Sequence, residues 1–140
     1  MRVLIDTNVI LDILQNRQPF FKESYNAVQF ALKKCSVYIS ATTVTDAVYI
    51  TRKAFNNSLD QKKALTEFFS QFRVCAVKNK QLKQAFSSSM SDFEDAVQVY
   101  CAKSHHVSYI ITRNTKDYKL SPVKAIEPAD FNTLIRKKIK

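Results

Sequence analysis

Short apolar runs alternate along this chain with stretches whose apolar residues recur at helical spacing. Val3-Leu4-Ile5 is an unbroken apolar run, the pattern of a strand covered on both faces of a parallel sheet. Val9, Ile10, Ile13 and Leu14 then fall at intervals of three and four, which predicts a helix. Pro19 suits the first turn of a second helix, with Phe20, Tyr25, Val28, Ala31 and Leu32 on its apolar side. Val37-Tyr38-Ile39 reads as a second strand. Thr42-Thr43 leads into a helix carrying Val44, Ala47, Val48 and Ile50, and residues 58–71 form another, with Leu59, Leu65, Phe68 and Phe69 inward. A third strand is expected at Val74–Val77, a short helix at Gln81–Phe86, and a helix at Asp92–Lys103. Tyr109-Ile110-Ile111 is the fourth strand, Asn114–Tyr118 a turn or short helix, and Val123–Ile126 a weak fifth strand. Pro128 starts a last helix. Strands alternating with helices predict an α/β fold with a central parallel sheet of about five strands. Ligands of such sheets bind beyond the carboxyl ends of the strands.

At 140 residues the chain reads as a single domain, 1–140, long enough to bury roughly 70% of its unfolded surface without staples. It contains no glycine. That excludes the glycine-rich dinucleotide and phosphate loops and the GxSxG nucleophile elbow. Turns needing positive φ must use Asn or Asp instead, with candidates such as Asn56-Asn57 and the Arg113-Asn114 pair. Cys35, Cys75 and Cys101 are odd in number and widely spaced, so they read as reduced, buried thiols rather than a disulfide framework or zinc site. An acidic residue at position 6 argues against a signal peptide, and no run approaches a membrane span. A cytoplasmic, membrane-free protein is expected.

The 22 Lys and Arg against 12 Asp and Glu leave a net charge of +10, which points to an anionic partner. The densest basic run is Arg136-Lys137-Lys138-Ile139-Lys140, either a solvated tail or part of that contact. The few acids are placed suggestively. Asp6 ends the first strand, Asp46 follows the second, Asp117 follows the fourth, and Asp95 lies near the start of the helix before it. Carboxylates gathered at one sheet edge cannot all stay ionised without cations, and hard oxygen donors suit Mg²⁺ or Mn²⁺. An acidic hole in a basic protein is what a metal-dependent nuclease needs: basic residues hold phosphates while the metal activates water. Each acid also has a plainer reading. Asp6 can cap the following helix. Thr43-Val44-Thr45-Asp46 and Ser91-Asp92-Phe93-Glu94 match capping boxes, which leaves Asp95 as the acid without a capping role. Asp117 can start a turn, Asp12 reads as part of an exposed helix face, and His105 and His106 as solvated residues at a helix end.

Val3-Leu4-Ile5-Asp6-Thr7-Asn8 resembles the opening of a PIN domain. Ile39-Ser40-Ala41-Thr42-Thr43-Val44-Thr45-Asp46 is similar to that family's second acidic segment, Asp92-Phe93-Glu94-Asp95-Ala96 to its third, and Tyr109–Tyr118 to its fourth. The resemblance implies a three-layer α/β/α, Rossmann-like fold. It implies an Mg²⁺- or Mn²⁺-dependent endoribonuclease with one or two ions. Asp6, Asp46, Asp95 and Asp117 would form the acidic cluster, with Asp6, Asp95 and Asp117 as ligands and Asp92 able to supplement or replace Asp95. Thr7, Asn8, Thr112 and Asn114 would be the polar shell. Arg113, then Arg52, Lys53 and the C-terminal run, would contact RNA. Many similar bacterial proteins are VapC-type toxins silenced by a small antitoxin, and dimers are common among them. Two departures stand out: Asp46 replaces the more usual Glu, and the glycine often found before the fourth strand is missing. The first leaves open a catalytically silent module that binds RNA or protein. A receiver domain would want an acidic pair after the first strand, and a dehalogenase-type phosphatase would want Asp-x-Asp, where this chain has Asn8.

Overall fold

The apolar runs form the strands they predict. In the computed structural model, which describes residues 1–139, β1 (Arg2–Ile5), β2 (Ser36–Ser40), β3 (Arg73–Cys75), β4 (Tyr109–Ile111) and β5 (Lys124–Ile126) make one sheet. Its order is β3-β2-β1-β4-β5 and every pairing is parallel. The helices are α1 (Thr7–Leu14), α2 (Phe21–Lys34), α3 (Ala41–Thr51), α4 (Ser58–Phe69), α5 (Asn79–Ser87), α6 (Phe93–Ser104) and α7 (Pro128–Ile139). Two 3₁₀ turns, Arg52–Ala54 and Thr115–Tyr118, complete the regular structure of the described residues.

Period-two alternation divides the strand side chains between two cores. Val3, Ile5, Val37, Ile39 and Ile111 join residues of α1, α2, α3, α4 and α7, among them Val9, Ile10, Val28, Ala47, Leu65 and Phe131. Leu4, Tyr38, Cys75 and Ile110 join α5 and α6 through Ala85, Ala96, Val97, Val99 and Cys101. The register keeps like with like: Leu4 pairs with Tyr38 and Ile110, and Ile5 with Ile111. This is the three-layer α/β/α arrangement, and it explains why the strands read as continuous apolar runs. Leu4 and Ile5 are fully buried on opposite faces, so truncating either to Ala would cost roughly 2–5 kcal/mol. All three cysteines are free, and burial pushes the Cys75 thiol up to about 12 and Cys101 to about 11.

Several helix boundaries differ from the pattern reading, each for a local reason. Pro19 does not open α2; it follows a cis peptide bond with Gln18, and the helix starts at Phe21. Ser40 caps α3, its Oγ accepting from the Thr42 amide at 3.2 Å, so Thr43 lies inside the helix and has no capping box with Asp46. Asp92, not Ser91, caps α6: its Oδ1 accepts from the Asp95 amide at 2.9 Å, and Glu94 is released from the box. Strand β3 is shorter than expected and begins one residue earlier. Arg136, Lys137 and Lys138 are exposed in the last turn of α7, where cations suit the helix dipole; Lys140 lies outside the described residues.

The positive-φ positions are Asn16 and His106, at 47° and 55°, rather than the dipeptides expected. Both follow helix C-caps, and both close a Schellman motif. His106 donates to Lys103 and Val107 to Ala102; Asn16 donates to Ile13 and Arg17 to Asp12. In a chain without glycine, Asn and His take the left-handed position that glycine fills most cheaply. Replacing His106 with Gly is expected to raise the unfolding free energy by roughly 0.5–1 kcal/mol, from relief of the left-handed strain. Urea denaturation checks this, and a loss of stability would contradict the assignment.

Candidate active site

The carboxyl ends of β1, β2 and β4 meet the amino end of α6 around one cavity of about 280 Å³. The topology makes this the natural crevice. From β1 the chain winds outward through β2 to β3, then returns across the sheet to β4 on the other side of β1. The walls include Asp6, Thr7, Asn8, Thr42, Asp46, Glu94, Asp95, Gln98, Asn114 and Arg17.

Asp6 sits at the centre, only 4% exposed. Its backbone carries on the sheet ladder, its amide donating to the Ile111 carbonyl at 3.0 Å, before the chain turns into α1. Its carboxylate accepts from five donors. Oδ1 takes the Thr7 amide at 2.6 Å and Gln98 Nε2 at 2.7 Å. Oδ2 takes Thr112 Oγ1 at 2.7 Å, the Tyr118 hydroxyl at 2.9 Å and, more weakly, Asn8 Nδ2 at 3.4 Å. Asp6 therefore caps α1 and forms the cavity floor at once, and the two readings of this residue are not exclusive. A buried carboxylate is tolerable only with such a donor set.

The donors are themselves held. The buried Thr112 hydroxyl donates to Asp6 and accepts from Asn8 Nδ2 at 3.2 Å and the Asn114 amide at 3.1 Å, which fills its hydrogen-bonding capacity. Asn8 Oδ1 accepts the Arg113 amide. Thr43 lies 2.9 Å from the Thr7 hydroxyl and donates to Gln98 Oε1 at 3.5 Å.

Asp95, in the first turn of α6, is joined to Asp6 by Tyr118, whose hydroxyl lies 3.2 Å from Asp95 Oδ1. Burial, then the Asp6 and Asp92 charges, push the Asp95 carboxyl up to about 7; the Tyr118 hydrogen bond opposes this and Asp117 adds to it. Burial, again reinforced by Asp6 and Asp95, drives the Tyr118 phenol far above its ordinary value. Like charge held this close is unfavourable, and a cation would offset it.

The expected site residues separate into groups. Asp6, Asp46 and Asp95 line the cavity with Thr7, Asn8 and Asn114, and Thr112 lies directly beneath. Asp117 is exposed on the 3₁₀ turn, outside the wall, and reaches Asp95 only through its charge. Asp92 is occupied as the α6 cap. Arg113 faces away: its Nε and Nη2 bind Asp12 at 2.7 and 3.1 Å, and the guanidinium stacks on Phe20 at 3.9 Å. Asp12 is fully buried, not on an exposed face, and also accepts from Ser24. This half-buried pair clamps the loop after β4 to α1. Arg52 rests over the Tyr49 ring at 4.0 Å and Lys53 is exposed beside it, neither on the cavity wall. His105 packs on Tyr38 at 4.9 Å.

Five polar lining or floor residues had not been singled out as site residues: Gln98, Tyr118, Glu94, Thr42 and Arg17. Gln98 had a signal, since it lies one helical turn after Asp95 and is a polar residue in an apolar stretch. Arg17 had none, because its position follows from the left-handed Asn16 that ends α1.

The cavity's donors are carboxylates, hydroxyls and carboxamides, with neither imidazole nor thiolate among them. Among the described residues no three His, Cys, Asp or Glu side chains stand close enough to enclose an ion. Mg²⁺ and Mn²⁺ do not need that: they bind through one or two carboxylates and keep several waters. The Asp6–Asp95 pair fits such an ion.

The parallel three-layer domain with acids gathered at its carboxyl edge matches what the sequence resemblance implies. A sequence model of the PIN domain matches residues 2–116, and the chain belongs to that family. No curated protein matches the chain significantly in sequence. Among solved structures, a chain of a toxin–antitoxin complex from Klebsiella pneumoniae is similar at a TM-score of 0.71 and 22% identity, covering 90% of this chain and 97% of that one. VapBC2 from Rickettsia felis, bound to a promoter DNA fragment, is similar at 0.69 and 16%, covering 91% and 98%. FitAcB from Neisseria gonorrhoeae is similar at 0.68 and 22%, covering 90% and 97%. These likenesses extend over nine-tenths of the chain and establish its fold.

The raised Asp95 carboxyl has a sign that can be tested. Its folded value of about 7 lies above the ordinary 3.8, so the folded state binds a proton that the unfolded state releases between those values. Without divalent cations this contribution to stability is full below about pH 4 and lost as pH rises through about 7. Asp95→Asn removes the titration. The variant's urea midpoint should gain on wild type from pH 4 to 7 and level off above; a difference independent of pH would contradict it.

Proposed function

We propose that this chain is an Mg²⁺- or Mn²⁺-dependent endoribonuclease and the toxin of a toxin–antitoxin pair, acting in the cytoplasm. The observation that carries the reading is the Asp6–Asp95 pair, two carboxylates bridged by one hydroxyl in an acid-lined cavity of a protein with net charge +10. PIN family membership and the likeness to toxin–antitoxin assemblies support it. If Asp6, Asp46, Asp95 and Asp117 act as one acidic group, the remainder carries +14, a field that draws polyanions toward the cavity.

In this reading Asp6 and Asp95 hold the ion, with Asp46 and Glu94 completing its shell directly or through water. Asp117 contributes charge rather than a ligand bond. When bound, a divalent ion supplies Lewis-acid activation of the attacking water and neutralises charge on the scissile phosphate. The chain's own work is positioning. Thr7, Gln98, Thr112 and Asn8 fix the Asp6 carboxylate, so that little reorganisation is needed during reaction. Arg17, the cation on the cavity wall, takes the phosphate role expected of Arg113. Arg113 instead holds Asp12, and with it the loop carrying Thr112 and Asn114. A small antitoxin that blocks this cavity would need to satisfy its acids, and an Arg side chain is suited to that.

A PIN domain that binds RNA or protein without cutting is the second reading. Two observations favour it: both Asp6 oxygens already carry donors, and Asp46 is a methylene shorter than Glu. Cleavage separates the two. Purified chain should cut RNA in the presence of Mn²⁺ and stop on chelation, and its rate should fall steeply with salt as phosphate contacts release counterions. Asp6→Asn should lower the rate at least roughly a hundredfold. Unchanged cleavage by Asp6→Asn would remove this site from the chemistry. Saturable Mn²⁺ uptake with RNA binding and no cleavage would establish the second reading.

A further inference from the structure

Tyr118 places its hydroxyl against both Asp6 and Asp95, the two acids that would share an ion. Its ring belongs to the α5–α6 core layer with Ile110, Val97 and Val123, and the residue is only 4% exposed. Packing therefore fixes the hydroxyl, which lies 2.9 Å from Asp6 Oδ2 and 3.2 Å from Asp95 Oδ1. A phenol has one proton and so donates to one of these oxygens at a time.

The lone pairs of Asp6 are already spoken for. A carboxylate offers about four acceptor sites. Thr7 and Gln98 take those on Oδ1, and Thr112 and Tyr118 take those on Oδ2, with Asn8 more distant. An ion reaching Asp6 must displace a donor. Thr7 donates from the backbone. Gln98 is braced by Thr43, and Thr112 by Asn8 and the Asn114 amide. The Tyr118 hydroxyl is different: its two contacts are both to the acids themselves.

We propose that the Tyr118 hydroxyl is a placeholder for the divalent ion, holding Asp6 and Asp95 together in the metal-free protein and competing with the ion for the same oxygens. This rests on the metal reading above and makes Tyr118 a positioning residue acting through the two acids. It has a consequence that a purely structural tyrosine lacks. Tyr118→Phe keeps the ring and its packing, so it should weaken the metal-free fold and yet tighten metal binding.

Mn²⁺ titration of the full chain, followed by the electron paramagnetic resonance of free Mn²⁺, measures the second effect, and urea denaturation without divalent ions measures the first. Tyr118→Phe is expected to bind Mn²⁺ roughly tenfold more tightly than wild type and to unfold at lower urea. Equal or weaker Mn²⁺ binding by a folded Tyr118→Phe, with wild-type binding intact, would overturn the placeholder and leave the metal reading standing. Saturable binding by neither protein would overturn both. Wild-type chain carrying ring-labelled tyrosine provides a second measurement independent of the variant's folding. Its Tyr118 ¹³Cζ resonance should shift in step with Mg²⁺ occupancy, and a resonance unmoved at saturation would also overturn the proposal.

Discussion

A carboxylate buried at the end of the central strand organises this protein. Asp6 is nearly inaccessible, and burying such a group costs several kcal/mol unless donors replace its water. The replacements come from five places: the first amide of α1, the α1 side chain of Asn8, the loop after β4, the 3₁₀ turn and the middle of α6. Segments far apart in sequence are held to one atom pair. The cost of burying Asp6 thereby becomes a constraint on how α6 and the β4 loop pack against β1.

The same constraint brings Asp95 close. α6 must present Gln98 to Asp6, and Asp95 lies one turn earlier on the same side of the helix. The result is a pair of acids in contact through one hydroxyl, at the positive end of a helix and in a strongly basic protein. Neither the core nor the sheet needs this pair. Burial, reinforced by the Asp6 charge, raises the Asp95 carboxyl to about 7. The remote Asp12–Arg113 pair has the opposite character: it is bidentate and closed, and it serves to anchor a loop.

Much of this was legible in the residues. The unbroken apolar runs at β1, β2 and β4 marked central strands, because only doubly covered strands lack polar positions. Asp6, Asp46 and Asp95 could be picked out because topology sends strand ends and helix starts to one edge. Less legible were contacts that depend on which way a side chain turns. Arg113 neighbours Asn114 in sequence, but at the bend after β4 its side chain turns onto Asp12 instead of the cavity. Asp12 looked like a surface residue because its partners lie a helix and a strand away. Capping boxes matched by pattern at Thr43 and Ser91 were each displaced, since Ser40 and Asp92 offer better-placed oxygens. The absence of glycine hid two helix ends, where Asn16 and His106 take its conformation.

The central claim is that Asp6 and Asp95 together form a divalent-metal site. Anomalous diffraction from crystals grown with Mn²⁺ tests it most directly. One strong peak is expected between the two carboxylates. A saturated crystal with no peak there, or with Mn²⁺ bound only elsewhere, would contradict it.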